Sequence, residues 1–98
     1  GAPTAAPPVA ARSTGSAAEP FVYFVQVGAF ARGDEAERQR ARLAILGEQA
    51  KISEREQSGR TVFRVRIGPY ETRDEADALQ VRLAGAGVEA RLVRVERP

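Results

Sequence analysis

The sequence predicts an α+β domain of the βαββαβ type, the ferredoxin-like or RNP-like architecture, in which a four-stranded antiparallel sheet carries two helices on one face. The first observation behind this prediction is a tandem βαβ repeat at an offset of 40 residues, which aligns Val27-Gly28-Ala29-Phe30 with Ile67-Gly68-Pro69-Tyr70. The second is that each copy passes from a β-rich run to a segment of helical periodicity and then to a shorter apolar run.

The strands of each copy follow from their composition. Phe21–Val27 and Thr61–Ile67 are rich in Val, Ile, Phe and Tyr, and they are predicted as the two central strands. Shorter strands are expected around Ala50–Arg55 and Val88–Val95. A turn at Ser58-Gly59 separates the copies. Gly28 and Gly68-Pro69 are interpreted as the ends of the central strands, where a turn needs a glycine.

Each helix is predicted from its start signal and its apolar stripe. Thr72-Arg73-Asp74-Glu75 forms a capping box in copy two, and Asp34-Glu35-Ala36-Glu37 is a looser version in copy one. Gly47 and Gly87 are expected to end the helices. The stripes predicted to pack on the sheet consist of Ala76, Leu79, Leu83 and Ala86 in copy two and Ala36, Leu43 and Leu46 in copy one.

Function is most easily placed on the sheet face that the helices leave open. The second central strand alternates clearly, and aligning the first strand with it through the repeat assigns to that face Phe24, Gln26, Val62, Arg64 and Arg66. One interpretation is a merely solvated surface. The other is a ligand site, because an exposed ring, an amide and paired guanidinium groups offer stacking, hydrogen bonding and carboxylate recognition together.

Composition narrows the function classes further. Residues 1–20 are mostly Ala, Pro, Ser, Thr and Gly and are predicted to be a disordered linker, so the folded domain is expected over residues 21–98. The chain has no His and no Cys, and no arrangement resembles a nucleophile with its base, so we predict no enzyme, no metal site and no cofactor. No apolar run is long enough to span a bilayer, and no signal peptide is visible.

RNA binding is the natural alternative for this topology. RNA-recognition motifs stack bases on aromatic residues of the third strand. Here that strand has Phe63 as its one aromatic residue within Arg60–Arg66, and its parity places it on the buried face. The net charge is only +2. We therefore expect no nucleic-acid partner.

The run Val25–Phe30, the run Phe63–Tyr70 and the 40-residue repeat together resemble the SPOR (sporulation-related repeat) domain, as in bacterial cell-division proteins of the FtsN type. The resemblance covers about residues 22–94. It implies a periplasmic module that binds peptidoglycan glycan strands lacking stem peptides and targets its parent protein to the division septum. The parent is then expected to carry an inner-membrane anchor outside this sequence, with residues 1–20 resembling the connecting linker.

The resemblance also implies site residues. Gln26 matches the family's strand 1 glutamine, and Arg64 matches its strand 3 polar contact. Val62 occupies a position where an aromatic residue often sits, and Ala29 one where serine is frequent. Leu92 is the candidate from the last strand, although alternation leaves its facing open because both faces of that strand are apolar.

The sequence therefore predicts a non-catalytic, monomeric glycan-binding module whose ligand contacts are Phe24, Gln26, Val62, Arg64, Arg66 and Leu92. The alternative hypotheses are a protein-interaction or dimerisation domain that uses the open sheet face and, less favoured, an RNP-like RNA-binding domain.

Overall fold

The computed structural model describes residues 20–97, and the predicted linker therefore lies outside the described residues except for Pro20. Along the chain the elements are β1 (Phe21–Phe30), α1 (Gly33–Ile45), β2 (Lys51–Gln57), β3 (Arg60–Tyr70), α2 (Arg73–Gly85) and β4 (Arg91–Glu96). The strands form one sheet in the order β2-β3-β1-β4, and every neighbouring pair is antiparallel. This topology confirms the predicted βαββαβ fold with β1 and β3 at the centre.

The core lies between the helices and one face of the sheet. Alternate residues of the central strands are buried there, with Val25 and Val65 completely inaccessible to solvent. Leu43 of α1 and Leu79 of α2 are equally inaccessible. The rest of this core consists of Tyr23, Val27, Ala36, Ala50, Ile67, Ala76, Leu83 and Val88. Burial of this apolar surface is the main force that holds each helix against the sheet.

Two residues of the predicted apolar stripes are exceptions. Leu46 is 43% exposed, and Ala86 is also exposed. Each is the C-terminal cap of its helix, where the chain turns away from the sheet. Helical periodicity therefore predicts the stripe correctly only up to the last turn.

The two helices begin differently. In α2, the backbone N–H of Glu75 donates to the Thr72 hydroxyl (3.3 Å) while the N–H of Thr72 donates to the Glu75 carboxylate (3.1 Å), which is the predicted capping box. The predicted counterpart in copy one is wrong, because the N-cap of α1 is Arg32, which has no side-chain cap. Asp34 instead accepts hydrogen bonds from the guanidinium groups of Arg32 and Arg38. These groups hold the pKa of Asp34 below its ordinary value.

The helices end alike. In α1, the N–H of Glu48 donates to the carbonyl of Leu43 (2.9 Å), and in α2, the N–H of Val88 donates to the carbonyl of Leu83 (2.8 Å). With Gly47 and Gly87 as the intervening residues, both ends form the Schellman arrangement that these glycines predict.

The glycines of the central strands mark bulges, and the prediction that they end the strands is wrong. Gln26 of β1 pairs with Arg66, but the next paired residue, Gly28, pairs with Val65, so β1 carries one extra residue. In β3 the irregularity falls at Gly68, which has φ +135°, and a Cβ there would lie 2.9 Å from the carbonyl oxygen of Tyr23. Both strands therefore continue past their glycine.

Candidate functional site

The open face of the sheet, opposite the helices, is fixed by cross-strand pairing. Arg64 and Arg66 alternate with buried Val65, so their side chains point away from the helices. Directly paired residues of neighbouring strands lie on the same face. On β2 the partners on this face are Lys51, opposite Arg66, and Ser53, opposite Arg64. Two further pairs extend the face, namely Arg55 with Val62 and Gln57 with Arg60.

The other half of the open face is formed by β1 and β4. Phe24 pairs with Val93 of β4, and Gln26 pairs with Arg91. At the end of the sheet Val22 pairs with Val95. Apart from Gln26 and Arg91, these side chains are apolar, so this half presents an aromatic ring and aliphatic groups.

One row of side chains crosses all four strands. It consists of Lys51, Arg66, Gln26 and Arg91, which are successive cross-strand partners. At about 4.8 Å between strands, the row extends for about 14 Å. Gln26 on β1 therefore lies between the guanidinium group of Arg66 on β3 and that of Arg91 on the edge strand β4.

The charges on the open face have one sign. Its basic residues are Lys51, Arg55, Arg60, Arg64, Arg66 and Arg91, and the strand positions of this face carry no carboxylate. The ion pairs formed within residues 20–97 involve other residues, which lie on the helices and in the loops beside them and beside the strand ends. Anionic ligands are attracted to a surface of this kind.

Arg66 is the most constrained of these cations. Its guanidinium carbon lies 4.8 Å from the centroid of the Phe24 ring. Burial lowers its pKa, and the neighbouring charges of Arg64 and Arg55 lower it further. The guanidinium nevertheless stays protonated at neutral pH because its ordinary pKa is so high. A carboxylate at this position would therefore relieve repulsion as well as form hydrogen bonds.

Several polar atoms beside Arg66 lack partners. The Nε atoms of Arg64 and Arg66 and the hydroxyl oxygen of Ser53 are inaccessible to solvent and form no hydrogen bond within the described residues. An unsatisfied buried donor or acceptor costs about 1–3 kcal/mol. A ligand that these side chains could turn toward would recover part of that cost. The unpaired groups therefore mark the Ser53–Arg64–Arg66 region as the polar centre of the face.

The structure brings together five of the residues predicted from sequence. Phe24, Gln26, Val62, Arg64 and Arg66 all lie on the open face. Because of the bulge at Gly28, Ala29 also lies there, opposite Arg64.

Leu92 does not join these residues. It pairs with the buried Val25 and packs against the core beneath the helices, so it lies on the wrong face for the predicted role. Val93 occupies the corresponding position on the open face, opposite Phe24. Alternation alone left open which face of the sheet Leu92 lies on. Ala90 and Leu92 both pack against the core, so this side of β4 faces the helices.

Sequence reasoning missed the contribution of β2. Lys51, Ser53 and Arg55 alternate with Ile52, which packs against the core, and this alternation was a usable signal. Arg91 could be placed only after the facing of β4 was known.

Residues 20–97 contain neither a candidate metal site nor a candidate membrane-spanning helix. No group of three or more acidic residues is arranged to hold a metal ion, and the whole chain has no His or Cys. None of the helices in this region has the length and apolar character needed to cross a membrane.

Comparisons with known proteins agree with the fold. A sequence model of the SPOR domain family matches residues 19–94. The crystal structure of the RlpA SPOR domain from Pseudomonas aeruginosa is 33% identical, with a TM-score of 0.65, covering 78% of this chain and 99% of that one. The solution structure of the peptidoglycan binding domain of the B. subtilis cell wall lytic enzyme CwlC is 26% identical, with a TM-score of 0.68, covering 80% of this chain and 94% of that one.

A more distant structure shows the fold alone. An exported protein from Burkholderia pseudomallei is 22% identical over 76% of this chain, with a TM-score of 0.64, and the match covers 16% of its length. No curated protein sequence matches the chain.

Proposed function

The chain belongs to the SPOR domain family, and from that premise we propose that it is a non-catalytic module that binds the glycan strands of peptidoglycan. The observation that carries the proposal is the open face, where unpaired guanidinium groups lie beside an aromatic ring and an amide. The B. subtilis structure with the same fold is a peptidoglycan binding domain, which supports this ligand class.

The charge of the open face favours glycan strands without stem peptides. When an amidase removes the peptide from N-acetylmuramic acid, the neutral lactyl amide becomes a carboxylate. Arg64 and Arg66 offer guanidinium groups that bind carboxylates in a bidentate manner. A peptide-bearing strand lacks this charge and presents a bulky substituent to the same surface. We therefore propose that denuded strands are the preferred ligand.

The remaining side chains suit the sugar ring. The Gln26 amide can donate to and accept from hydroxyl and acetamido groups. The ring of Phe24 lies beside it on the same face and can stack on the apolar side of a pyranose. Val93, the cross-strand partner of Phe24, and Val62, which lies beyond Arg64 on β3, supply further apolar contact area.

The proposed role is targeting. Denuded strands accumulate where amidases work, so a module that prefers them directs its parent protein to the division septum in the bacterial cell envelope. Residues 1–20 would then act as a tether between the domain and an inner-membrane anchor.

Both alternative functions are less well supported than glycan binding. A dimer formed through two open faces would bring like charges together, so we propose a monomer, to be checked by sedimentation velocity over a range of concentrations. Phe63, the third-strand aromatic residue, packs against the core and cannot stack on a base. We accordingly expect no retention of single-stranded RNA at physiological salt.

The test is sedimentation with peptidoglycan sacculi before and after amidase treatment. We expect the protein to pellet more strongly with the treated material. The double variant Gln26→Ala/Arg64→Ala should lose this binding, because it removes the amide and one guanidinium group. A matched control, Gln49→Ala/Arg73→Ala, changes the same residue types away from the open face.

Each outcome has one meaning. If the wild-type protein fails to pellet with treated sacculi, the proposed ligand is wrong. If it pellets and the Gln26/Arg64 variant pellets equally well, the assignment of these residues is wrong. Circular dichroism confirms that each variant is folded.

A further inference from the structure

A cleft of about 630 Å³ opens beside the open face, at the edge where β1 runs past the start of β4. Its walls come from the second half of β1, from α1 and from the loop between α2 and β4. We call it the edge cleft. Its polar side chains are Gln26, Gln39, Arg42, Glu89 and Arg91.

Two backbone carbonyl groups at the edge cleft already accept hydrogen bonds from side chains. Gln39 of α1 donates its amide N–H to the carbonyl of Val27 (3.1 Å), and Gln80 of α2 donates to the carbonyl of Ala90 (2.8 Å). Side-chain amides thus already donate hydrogen bonds to backbone carbonyl groups at the points where β1 and β4 separate. A peptide strand added here would have to displace them, so a ligand is better bound by the side chains that line the cleft.

The internal repeat provides a control for the charge of the cleft. Arg82 of α2 is the counterpart of Arg42 at the 40-residue offset, and it forms an ion pair with Glu48 at 3.5 Å. The residue corresponding to Glu48 is Val88, which is buried. Arg42 consequently has no ion-pair partner among the described residues. The arginine of copy two, Arg82, is thus paired with a carboxylate, whereas Arg42 of copy one lines the cleft without an ion-pair partner among the described residues.

The edge cleft is continuous with the open face. Gln26 and Arg91 line the cleft and also form the last two members of the row that starts at Lys51 and Arg66. A linear ligand that contacts Gln26 and Arg91 on the open face therefore lies directly beside the cleft. The lining of two guanidinium groups, amides and one carboxylate can pair an anion while also accepting from hydroxyl groups.

We propose that the edge cleft is a further subsite for the same polysaccharide, which receives the next disaccharide unit and holds its lactyl carboxylate with Arg42 and Arg91. This inference rests on the proposed function, and it makes Arg42 a determinant of ligand length. The open face binds one disaccharide, and the cleft adds affinity only when the strand is longer.

The test compares denuded disaccharide and tetrasaccharide fragments by isothermal titration calorimetry. For the wild-type protein, we expect the tetrasaccharide to bind about tenfold more tightly, because a charge-assisted contact is added. This gain exceeds the statistical gain that arises because a longer ligand can be placed on the open face in more than one way. Arg42→Gln should remove most of this gain and leave disaccharide affinity unchanged. Arg82→Gln, the repeat-related control, should retain the gain, since Arg82 belongs to an ion pair outside the cleft.

The outcomes separate this inference from the proposed function. If the disaccharide binds but length brings no gain, or if Arg42→Gln keeps the gain, the subsite is overturned and the proposed function stands. If neither fragment binds, the proposed function is contradicted and the subsite is overturned with it.

Discussion

The two copies of the repeat contribute unequal halves to the open face. Copy one supplies Phe24 and Gln26 where copy two supplies Arg64 and Arg66. The edge strands differ as well, and their corresponding pairs are Ser53 with Val93 and Arg55 with Val95. As a result, the β2–β3 half is cationic and the β1–β4 half is largely apolar.

Beneath the sheet the copies remain similar. The repeat pairs Val25 with Val65 and Leu43 with Leu83, and all four are buried in one core. Packing demands the same volume on both sides of the pseudo-twofold axis, whereas a solvent-facing position has no such demand. The contrast teaches that the fold constrains one face of the sheet and leaves the other free to acquire two chemical characters.

Within the helices, one buried position departs from this rule. Leu79 of α2 is fully buried, but its counterpart in α1 is Gln39, which is half-buried and bonds the Val27 carbonyl. Gln39 also lines the edge cleft. The departure from symmetry in the helices therefore occurs beside the proposed ligand site.

The largest expected effect concerns the cationic half. Arg64→Gln/Arg66→Gln should weaken binding to denuded glycan about 100-fold, because two charge-assisted contacts are lost. The free energy of unfolding should not fall, since burial and repulsion already disfavour the charge of Arg66. Calorimetric titration and urea unfolding measure the two quantities. Arg73→Gln/Arg82→Gln removes equal charge from α2, and comparable weakening there would show that net charge alone matters.

The next prediction separates the two faces of β4. Leu92→Ala should lower the free energy of unfolding by about 1–2 kcal/mol, because Leu92 packs against the core, while folded protein still binds. Val93→Ser should weaken binding a few-fold and change stability by less than about 0.5 kcal/mol. Denaturant unfolding and titration of both variants test this. The opposite pattern would place Leu92 in the ligand site after all.

The apolar half should contribute less than the cationic half. Phe24→Ala should weaken binding about tenfold, since the variant loses both the stacking surface and the ring on which Arg66 rests. Phe24→Tyr keeps the ring and should retain most of the affinity. If both variants bind like the wild-type protein, the apolar half plays no part in recognition.

The smallest effect is expected from pH. The chain has no His. Burial is the main reason that the pKa of Tyr70 is raised, so Tyr70 stays neutral to higher pH than an ordinary tyrosine. Affinity should therefore be flat between about pH 5 and 9, and it should fall only as the ligand carboxylate is protonated near about pH 3.5. A step in affinity near neutral pH would contradict carboxylate recognition by guanidinium groups.

The repeat and the local periodicities were enough to predict the fold from sequence. The alternation of Phe63, Val65 and Ile67 with the two arginines reflects one buried face, and Thr72 with Glu75 marks a helix start by local chemistry alone. These signals act over a few residues, so the sequence displays them directly.

The remaining features depend on contacts between distant residues. The facing of Leu92 is decided by the core that it completes, and the bulge at Gly28 by its pairing with β3. Arg42 and Arg91 are far apart in sequence and line the same cleft only because β4 starts opposite Gln26. Half of the site could thus be predicted from strand parity, while the edge cleft needed the tertiary structure.

The hydrogen bond from the N–H of Arg97 to the carbonyl of Pro20 (2.9 Å) has a consequence for engineering. It brings both ends of the domain together beside the Phe21–Glu96 pair, at the end of β1 remote from the edge cleft. A carrier protein could accept the domain within a surface loop, entering at Pro20 and leaving at Arg97, without covering the open face. Joining these ends and opening the Ser58-Gly59 turn would similarly give a circular permutant with its ligand surface intact.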